Sequence, residues 1–263
     1  MIRAVVVCPG RGSYGRAQLG SLPPHDPIVA ALDRFRSALG RPGVSDLDRA
    51  PYTPRLHVAG EHASLLTFAC TVVDVATIDR TRVDIVGVTG NSMGFYTALH
   101  VAGALDLHAA AYLVETLGNY QAENVIGGQL VYPTVDETWR TDPALVDRVL
   151  EALAQPGVYL SIRLGGAVVF GVDAAGLEHV RRILPPIDRG GLIYPLPLPL
   201  HSAFHTPLMA PARDRAREDL AGLPIRAPRL TLIGGDGGVH RPWADPAALL
   251  GYTLGPQIVE PFD

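Results

Sequence analysis

Val83-Asp84-Ile85-Val86-Gly87-Val88-Thr89 leads directly into Gly90-Asn91-Ser92-Met93-Gly94, and Phe95-Tyr96-Thr97-Ala98-Leu99-His100-Val101-Ala102-Gly103-Ala104-Leu105 follows. The first stretch is apolar and rich in β-branched residues, the pattern of a buried strand. The last reads as a helix. Between them stands G-x-S-x-G. A sharp turn from strand to helix holds its central side chain in an exposed, strained position. The flanking glycines, having no Cβ, let strand and helix approach closely. This is the form of a nucleophile elbow, and it makes Ser92 a candidate covalent catalyst. The N–H of Met93, at the start of the helix, is a candidate oxyanion donor, aided by the helix dipole.

Outward from the elbow, the chain alternates buried strands with helices. Ala4–Cys8 is a short apolar strand, Pro9-Gly10-Arg11-Gly12-Ser13 a loop, Ile28–Leu39 a helix, residues 41–60 a surface connection, and Glu61–Asp79 a long buried helix. This predicts an α/β core with a mostly parallel sheet. The middle of the chain changes character. Gln129–Val135, Val158–Leu164, Ala167–Val172 and Leu192–Leu196 read as strands, with helices at Pro143–Ala154 and Ala174–Leu184. That order, β-α-β-β-α-β, predicts a ferredoxin-like unit. The expected domains are therefore a hydrolase-like core of residues 1–127 and 196–263 and an inserted small subdomain of residues 128–195.

The composition narrows the function classes. With 263 residues and 48% hydrophobic content the chain can bury a sizeable core, and its net charge of −4 gives no basic surface for nucleic acid. Cys8 and Cys70 form neither a disulfide framework nor a metal cage, and both read as buried thiols. No apolar run reaches the length of a membrane span, and the N-terminus lacks a signal sequence, so a cytoplasmic protein without membrane partners is expected.

A serine nucleophile needs a base. His205, in Pro199-Leu200-His201-Ser202-Ala203-Phe204-His205-Thr206-Pro207-Leu208-Met209, sits at a loop-to-helix junction where Thr206 can cap and Pro207 can occupy the first helical position. His201 and His205 have a zinc-like H-x-x-x-H spacing. The prolines keep the stretch from being helical and no third ligand is apparent, so no metal is expected.

Several segments together resemble the malonyl-CoA:acyl-carrier-protein transacylases, the acyltransferases of fatty acid and polyketide synthesis. Cys8-Pro9-Gly10-Arg11-Gly12-Ser13 is similar to their F-P-G-Q-G-S loop, and the stretch Thr89–Leu99 to their A-G-H-S-L-G-E-Y-S-A-L elbow. Ser202–Met209 is similar to their G-A-F-H-S-P-L-M segment, and Gln257-Ile258-Val259-Glu260-Pro261 to their Q-L-x-x-P. The resemblance implies ping-pong acyl transfer. Ser92 attacks an acyl-CoA, His205 takes its proton, the backbone amides of Arg11 and Met93 form the oxyanion hole, and an acyl carrier protein is the acceptor. Gln257 is the matching residue near the site. No permanently bound cofactor is implied; acyl-CoA is substrate. The family orients its histidine with backbone carbonyls and needs no third acid.

The departures are specific. The family's V-E-x-R-G arginine, which pairs with the malonyl carboxylate, is Leu117 in Val114-Glu115-Thr116-Leu117-Gly118. Its elbow histidine is Asn91, and its N-x-N pair is Ser161 and Arg163. A carboxylate facing leucine would be desolvated and unpaired, so an uncharged acyl group suits the pocket better unless Arg11 or Arg163 supplies a cation. Two further readings stand beside the transferase: a thioester hydrolase of the same fold that clears carrier proteins, and a catalytically degenerate scaffold. A general α/β-hydrolase would need an acid between Ser92 and His205, and Asp136, Asp173 and Asp188 all fall in or beside the inserted unit.

Overall fold

A computed structural model describes the backbone of residues 1–263 and the side chains of all but residues 121–123. In chain order its strands are β1 (Ile2–Cys8), β2 (Val83–Gly90), β3 (Gly128–Pro133), β4 (Val158–Leu164), β5 (Ala167–Val172), β6 (Ile187–Arg189), β7 (Leu192–Tyr194), β8 (Leu196–Pro197), β9 (Thr231–Ile233) and β10 (Val239–His240). Its α-helices are α1 (Pro27–Ala38), α2 (Val44–Arg49), α3 (Pro54–His57), α4 (Gly60–Ala76), α5 (Met93–Val101), α6 (Leu107–Glu123), α7 (Pro143–Leu153), α8 (Ala174–Ile183), α9 (Ala210–Asp219), α10 (Pro246–Thr253) and α11 (Pro256–Val259). The chain divides into two compact units: Met1–Glu123 with Ala216–Thr253, and Asn124–Arg215 with Leu254–Asp263.

The first unit is built on a four-stranded sheet of order β1-β2-β9-β10. β1, β2 and β9 are parallel and β10 is antiparallel, with Cys8 opposite Gly90 at the end of the β1–β2 ladder. The α/β core with mostly parallel strands is therefore present. Helix α4 buries apolar residues around most of its circumference, among them Leu65, Leu66, Phe68 and Val72, as the sequence pattern required. It packs closely on α6, where a Cβ on Gly118 would come within 2.6 Å of the Gly60 carbonyl oxygen.

Residues 41–60 are not a plain surface connection. They form α2 and α3, which bury Val44, Leu47, Asp48 and His57. The Pro, Gly and Thr residues that suggested a loop are the punctuation of two short helices: Gly43 precedes α2, while Thr53 caps α3 ahead of Pro54. Asp48 accepts hydrogen bonds from the Tyr14 hydroxyl (2.6 Å) and the Leu22 N–H (3.1 Å), which ties this region to the rest of the unit.

Beneath α1 and α6 lies a buried charge cluster. Arg36, fully buried, donates to Glu115 Oε2 at 3.2 Å, to the Glu61 carbonyl at 3.1 Å, and pairs with His62 Nδ1 at 2.9 Å. Arg41 lies 3.2 Å from Glu115 Oε1, close enough for charge attraction but without hydrogen-bond alignment, and bonds Asn119. Burial pushes the Glu115 carboxyl up from its usual range, opposed by the two guanidinium groups.

The second unit carries a four-stranded antiparallel sheet of order β4-β5-β3-β8. Alternate residues Leu130, Tyr132, Phe170 and Val172 form a core with Val149 of α7 and Val180 of α8. Asp142 and Asp173 cap α7 and α8. The expected strand Leu192–Leu196 is two elements. β7 turns back on β6 through Gly190 and Gly191, both at positive φ, and β8 pairs with β3. Pro195, Pro197 and Pro199 confine this stretch to the sheet edge, since proline has no N–H for an interior ladder.

The unit is larger than the 128–195 expected, because it takes in 124–127, 196–215 and 254–263. At the end of the chain Phe262 bridges to Ile162 beside β4: the Arg163 N–H donates to the Phe262 carbonyl at 2.9 Å, and the Phe262 N–H to the Ser161 carbonyl at 3.3 Å.

Glu115→Gln tests the charge cluster. It leaves Arg36 buried without its counter-charge, and the first unit should lose roughly 3–5 kcal/mol of stability, measured by urea unfolding. An unchanged unfolding midpoint would show that the cluster contributes nothing.

Candidate active site

The elbow is formed as the sequence implied. β2 ends at Gly90, α5 begins at Met93, and Ser92 between them has φ 56° and ψ −128°. A non-glycine residue at positive φ is held there only by its surroundings. Those surroundings are backbone. A Cβ on Gly90 would collide with the Gly94 carbonyl, and a Cβ on Gly94 with the Cys8 carbonyl at the end of β1. The Gly94 N–H donates to the Asn91 carbonyl at 2.9 Å and the Phe95 N–H to the Ser92 carbonyl at 3.0 Å. Asn91 and Ser92 are partly exposed, while every residue from Met93 to Leu99 is buried.

The loop after β1 runs alongside the elbow: a Cβ on Gly10 would sit 3.4 Å from the Asn91 carbonyl oxygen. Arg11 follows. Its guanidinium Nη2 donates to the Val58 carbonyl at 3.2 Å, and burial lowers its pKa to about 10, still well above neutral. Leu117, on α6, is 8% exposed. Two residues along a helix is about 200° of rotation, so Leu117 and Glu115 point to nearly opposite sides of α6. The Glu115 charge cluster is thus separate from the surroundings of Leu117. Cys8 is buried and its thiol is pushed up to about 12 by desolvation, which leaves it inert; Cys70 is only partly buried, against expectation.

In the second unit, His205 is 5% exposed and, like Ser92, has positive φ, at 57°. Its Nδ1 lies 3.1 Å from the Gln257 carbonyl. A carbonyl only accepts, so Nδ1 carries the proton and Nε2 carries the lone pair. Phe262 packs edge-on against the ring with centroids 4.6 Å apart. Burial lowers the His205 pKa to about 4, a shift partly offset by the bond to Gln257 and reinforced by His201. Gln257 itself is buried on α11. Thr206 does not cap the following turn through its side chain; its hydroxyl donates back to the Ala203 carbonyl at 2.6 Å.

Ser161 is fully buried, and Arg163 is 64% exposed in an ion pair with Asp263 at 3.1 Å. Sequence reasoning did not single out Gln129, which bonds both Ser161 and His201. Its only sequence signal was a polar residue inside an apolar strand. Among the described residues no group of three His, Cys, Asp or Glu side chains could hold a metal ion, and no helix is long and apolar enough to cross a membrane.

No protein-family model matches the chain. It is 30% identical over 148 residues to the malonyl CoA-acyl carrier protein transacylase of Escherichia coli O157:H7, a match covering 56% of this chain and 46% of that protein. It is 26% identical over 239 residues to the transacylase of the same name from Salmonella typhimurium, covering 89% of this chain and 74% of the relative. Among solved structures, the acyl-carrier-protein S-malonyltransferase of Burkholderia pseudomallei superposes with a TM-score of 0.75 at 26% identity, over 100% of this chain and 82% of that one. The chain is thus similar in sequence and in fold to malonyl-CoA:acyl-carrier-protein transacylases. In the first of these matches it spans about half of the relative's length, 46%.

The buried imidazole gives a pH test. Between the ordinary histidine pKa and about 4, the unfolded chain binds a proton that folded His205 does not. Stability therefore rises with pH across that window and falls as pH drops from about 6.5 toward 4. Burial lowers His62, His100 and His240 in the same direction. Urea unfolding at pH 7 and pH 5 should show the loss, and His205→Asn should reduce the slope by up to about 1.4 kcal/mol per pH unit. A slope unchanged by that substitution would contradict the assignment.

Proposed function

We propose that the chain is an acyltransferase that carries an acyl group from coenzyme A to the phosphopantetheine thiol of an acyl carrier protein through an ester on Ser92. The observation that carries this reading is the strained backbone of Ser92 at the N-terminus of α5, with the Arg11 loop beside it. The tautomer of His205, with its lone pair on Nε2, supports a role as the base.

In the first half-reaction His205 Nε2 takes the Ser92 hydroxyl proton as the oxygen attacks the thioester carbonyl. The N–H groups of Met93 and Arg11 receive the oxyanion. The intermediate collapses, the C–S bond breaks, and the coenzyme A thiolate leaves with the proton from His205. In the second half the carrier thiol gives its proton to His205 and attacks the ester, and Ser92 recovers its proton as it leaves. His205 is oriented by the Gln257 carbonyl, so no acidic third member is required. No bound cofactor takes part.

The relatives' names make malonyl-CoA their donor and an acyl carrier protein their acceptor. For this chain we infer the same acceptor class and an uncharged donor. Leu117 is buried and apolar at the position of the carboxylate-binding arginine, while Arg36 and Arg41 pair with Glu115 on the opposite side of α6 and the Arg11 guanidinium donates to the Val58 carbonyl. Hydrolysis of the same Ser92 ester by water is the second reading. Leu117 favours it equally, because clearing non-malonyl groups also requires an apolar pocket.

Acylation of Ser92, followed by intact mass over a panel of acyl-CoAs, tests donor choice. Acetyl-CoA or a longer acyl-CoA should react at least about tenfold faster than malonyl-CoA, since one missing charge-assisted pair is worth a kcal/mol or more. Leu117→Arg should shift the preference toward malonyl-CoA. A natural chain that prefers malonyl-CoA would refute the inference from Leu117 and point to Arg11 as the replacement cation. Adding carrier protein separates transfer from hydrolysis, by whether the acyl group appears on the carrier or as free acid.

A further inference from the structure

We propose that Gln129 and Ser161 are positioning residues for His205, acting through a hydrogen-bond chain that starts at His201 and ends on the Phe204 carbonyl. The proposal rests on the reading of His205 as the base.

The chain of bonds has one consistent direction. His201 Nδ1 lies 2.8 Å from Gln129 Oε1. The amide oxygen only accepts, so His201 donates from Nδ1. Gln129 Nε2 then donates to Ser161 Oγ at 2.7 Å and, more weakly, toward the Phe204 carbonyl at 3.4 Å. The opposite amide orientation would set two oxygens against each other at that carbonyl. The Ser161 hydroxyl passes its own proton to the Phe204 carbonyl at 2.8 Å. Gln129 and Ser161 are buried, at 4% and 0% exposure, so neither can exchange these partners for solvent at no cost.

The fold builds this arrangement on purpose-made geometry. The register between β4 and β5 shifts between Leu160 and Ile162, which leaves Ser161 as the extra residue of a bulge. Bulges re-aim a side chain, and this one brings Ser161 to the Phe204 carbonyl. Gly171, opposite Gln129 on β5, has no side chain; a Cβ there would collide with the Thr206 methyl and crowd Ala203. The segment 203–206 therefore lies directly on the sheet at Gly171.

The consequence for His205 follows from the peptide geometry. The Phe204 carbonyl belongs to the peptide plane whose rotation about N–Cα is the φ of His205. That φ is 57°, a conformation a histidine leaves unless it is held. Two donors on the Phe204 carbonyl fix the plane, and the Gln257 carbonyl fixes the ring.

The test is a double-mutant cycle on Ser92 acylation by acetyl-CoA at saturating and subsaturating donor. Gln129→Leu should lower the saturated rate about 10- to 100-fold with KM within about twofold, because a base displaced by an ångström costs on that order. If Gln129 acts through His205, the double variant should be no slower than His205→Ala alone, which should itself slow the natural chain by about 100-fold or more, so that the cost of His205→Ala shrinks in the Gln129→Leu background by the factor that Gln129→Leu takes alone. His201→Leu should reproduce part of the loss. His201→Asn, which keeps a donor at the place of Nδ1, should recover the rate.

Equal costs of His205→Ala in the two backgrounds, or a loss confined to KM, would overturn the proposal. If Gln129→Leu fails to fold by circular dichroism, the same cycle with Ser161→Ala and the His201 pair decides it by the same criteria. If His205→Ala leaves the natural chain unaffected, the base assignment fails, and the proposal falls with it for that separate reason.

Discussion

The close approach of three backbone segments at Cys8, Gly90 and Gly94 is the constraint on which the rest of the first unit depends. β1 and β2 run parallel to their last pair, Cys8 and Gly90, and α5 turns back over that end. At Gly90 and at Gly94 a single methyl group would strike a carbonyl oxygen. With both positions bare, α5 can start two residues after the strand, and Ser92 is left at positive φ at the head of the helix. The same crossing brings the Gly10–Arg11 loop beside Asn91. A candidate nucleophile, two candidate oxyanion donors and a helix N-terminus are thereby held by backbone geometry, which side-chain drift elsewhere in the sequence does not disturb. This explains how a chain with only 26–30% identity to its relatives keeps the elbow.

Charge is organised around α6. Glu115 turns toward Arg36 and Arg41, and Leu117 toward the other side. The ion cluster is buried, so breaking it costs far more than its presence contributes. Leu117 thus puts an apolar side chain on one side of the helix while the charge pairing lies on the other.

The legible parts of the sequence were those with strong periodicity or backbone chemistry. β4 and β5 match their expected bounds, and the elbow was readable because glycine spacing reports close packing directly. The misreadings share one cause: Pro and Gly mark both loops and the caps of short helices. Residues 43–57 carry Thr53-Pro54 and Gly43 as helix starts, and only tertiary burial of Val44, Leu47 and His57 distinguishes the two. The Leu192–Leu196 stretch looked like one strand because the side-chain pattern continues through it. The Gly190-Gly191 turn and the prolines split it between two partners. Among the candidate site residues, Ser92, His205 and Gln257 stand in local motifs that the sequence displays. Gln129 and the bulge at Ser161 carry no such motif, because their hydrogen bonds reach residues more than 30 positions away.

The central claim is that Ser92 carries the acyl group. Rapid mixing with excess acetyl-CoA in the absence of any carrier protein, with released coenzyme A thiol followed in time, tests it most directly. The account predicts a burst of about one thiol per chain, faster than any later turnover, that disappears in Ser92→Ala. Absence of a burst with every uncharged acyl-CoA, or a burst that survives Ser92→Ala, would contradict it.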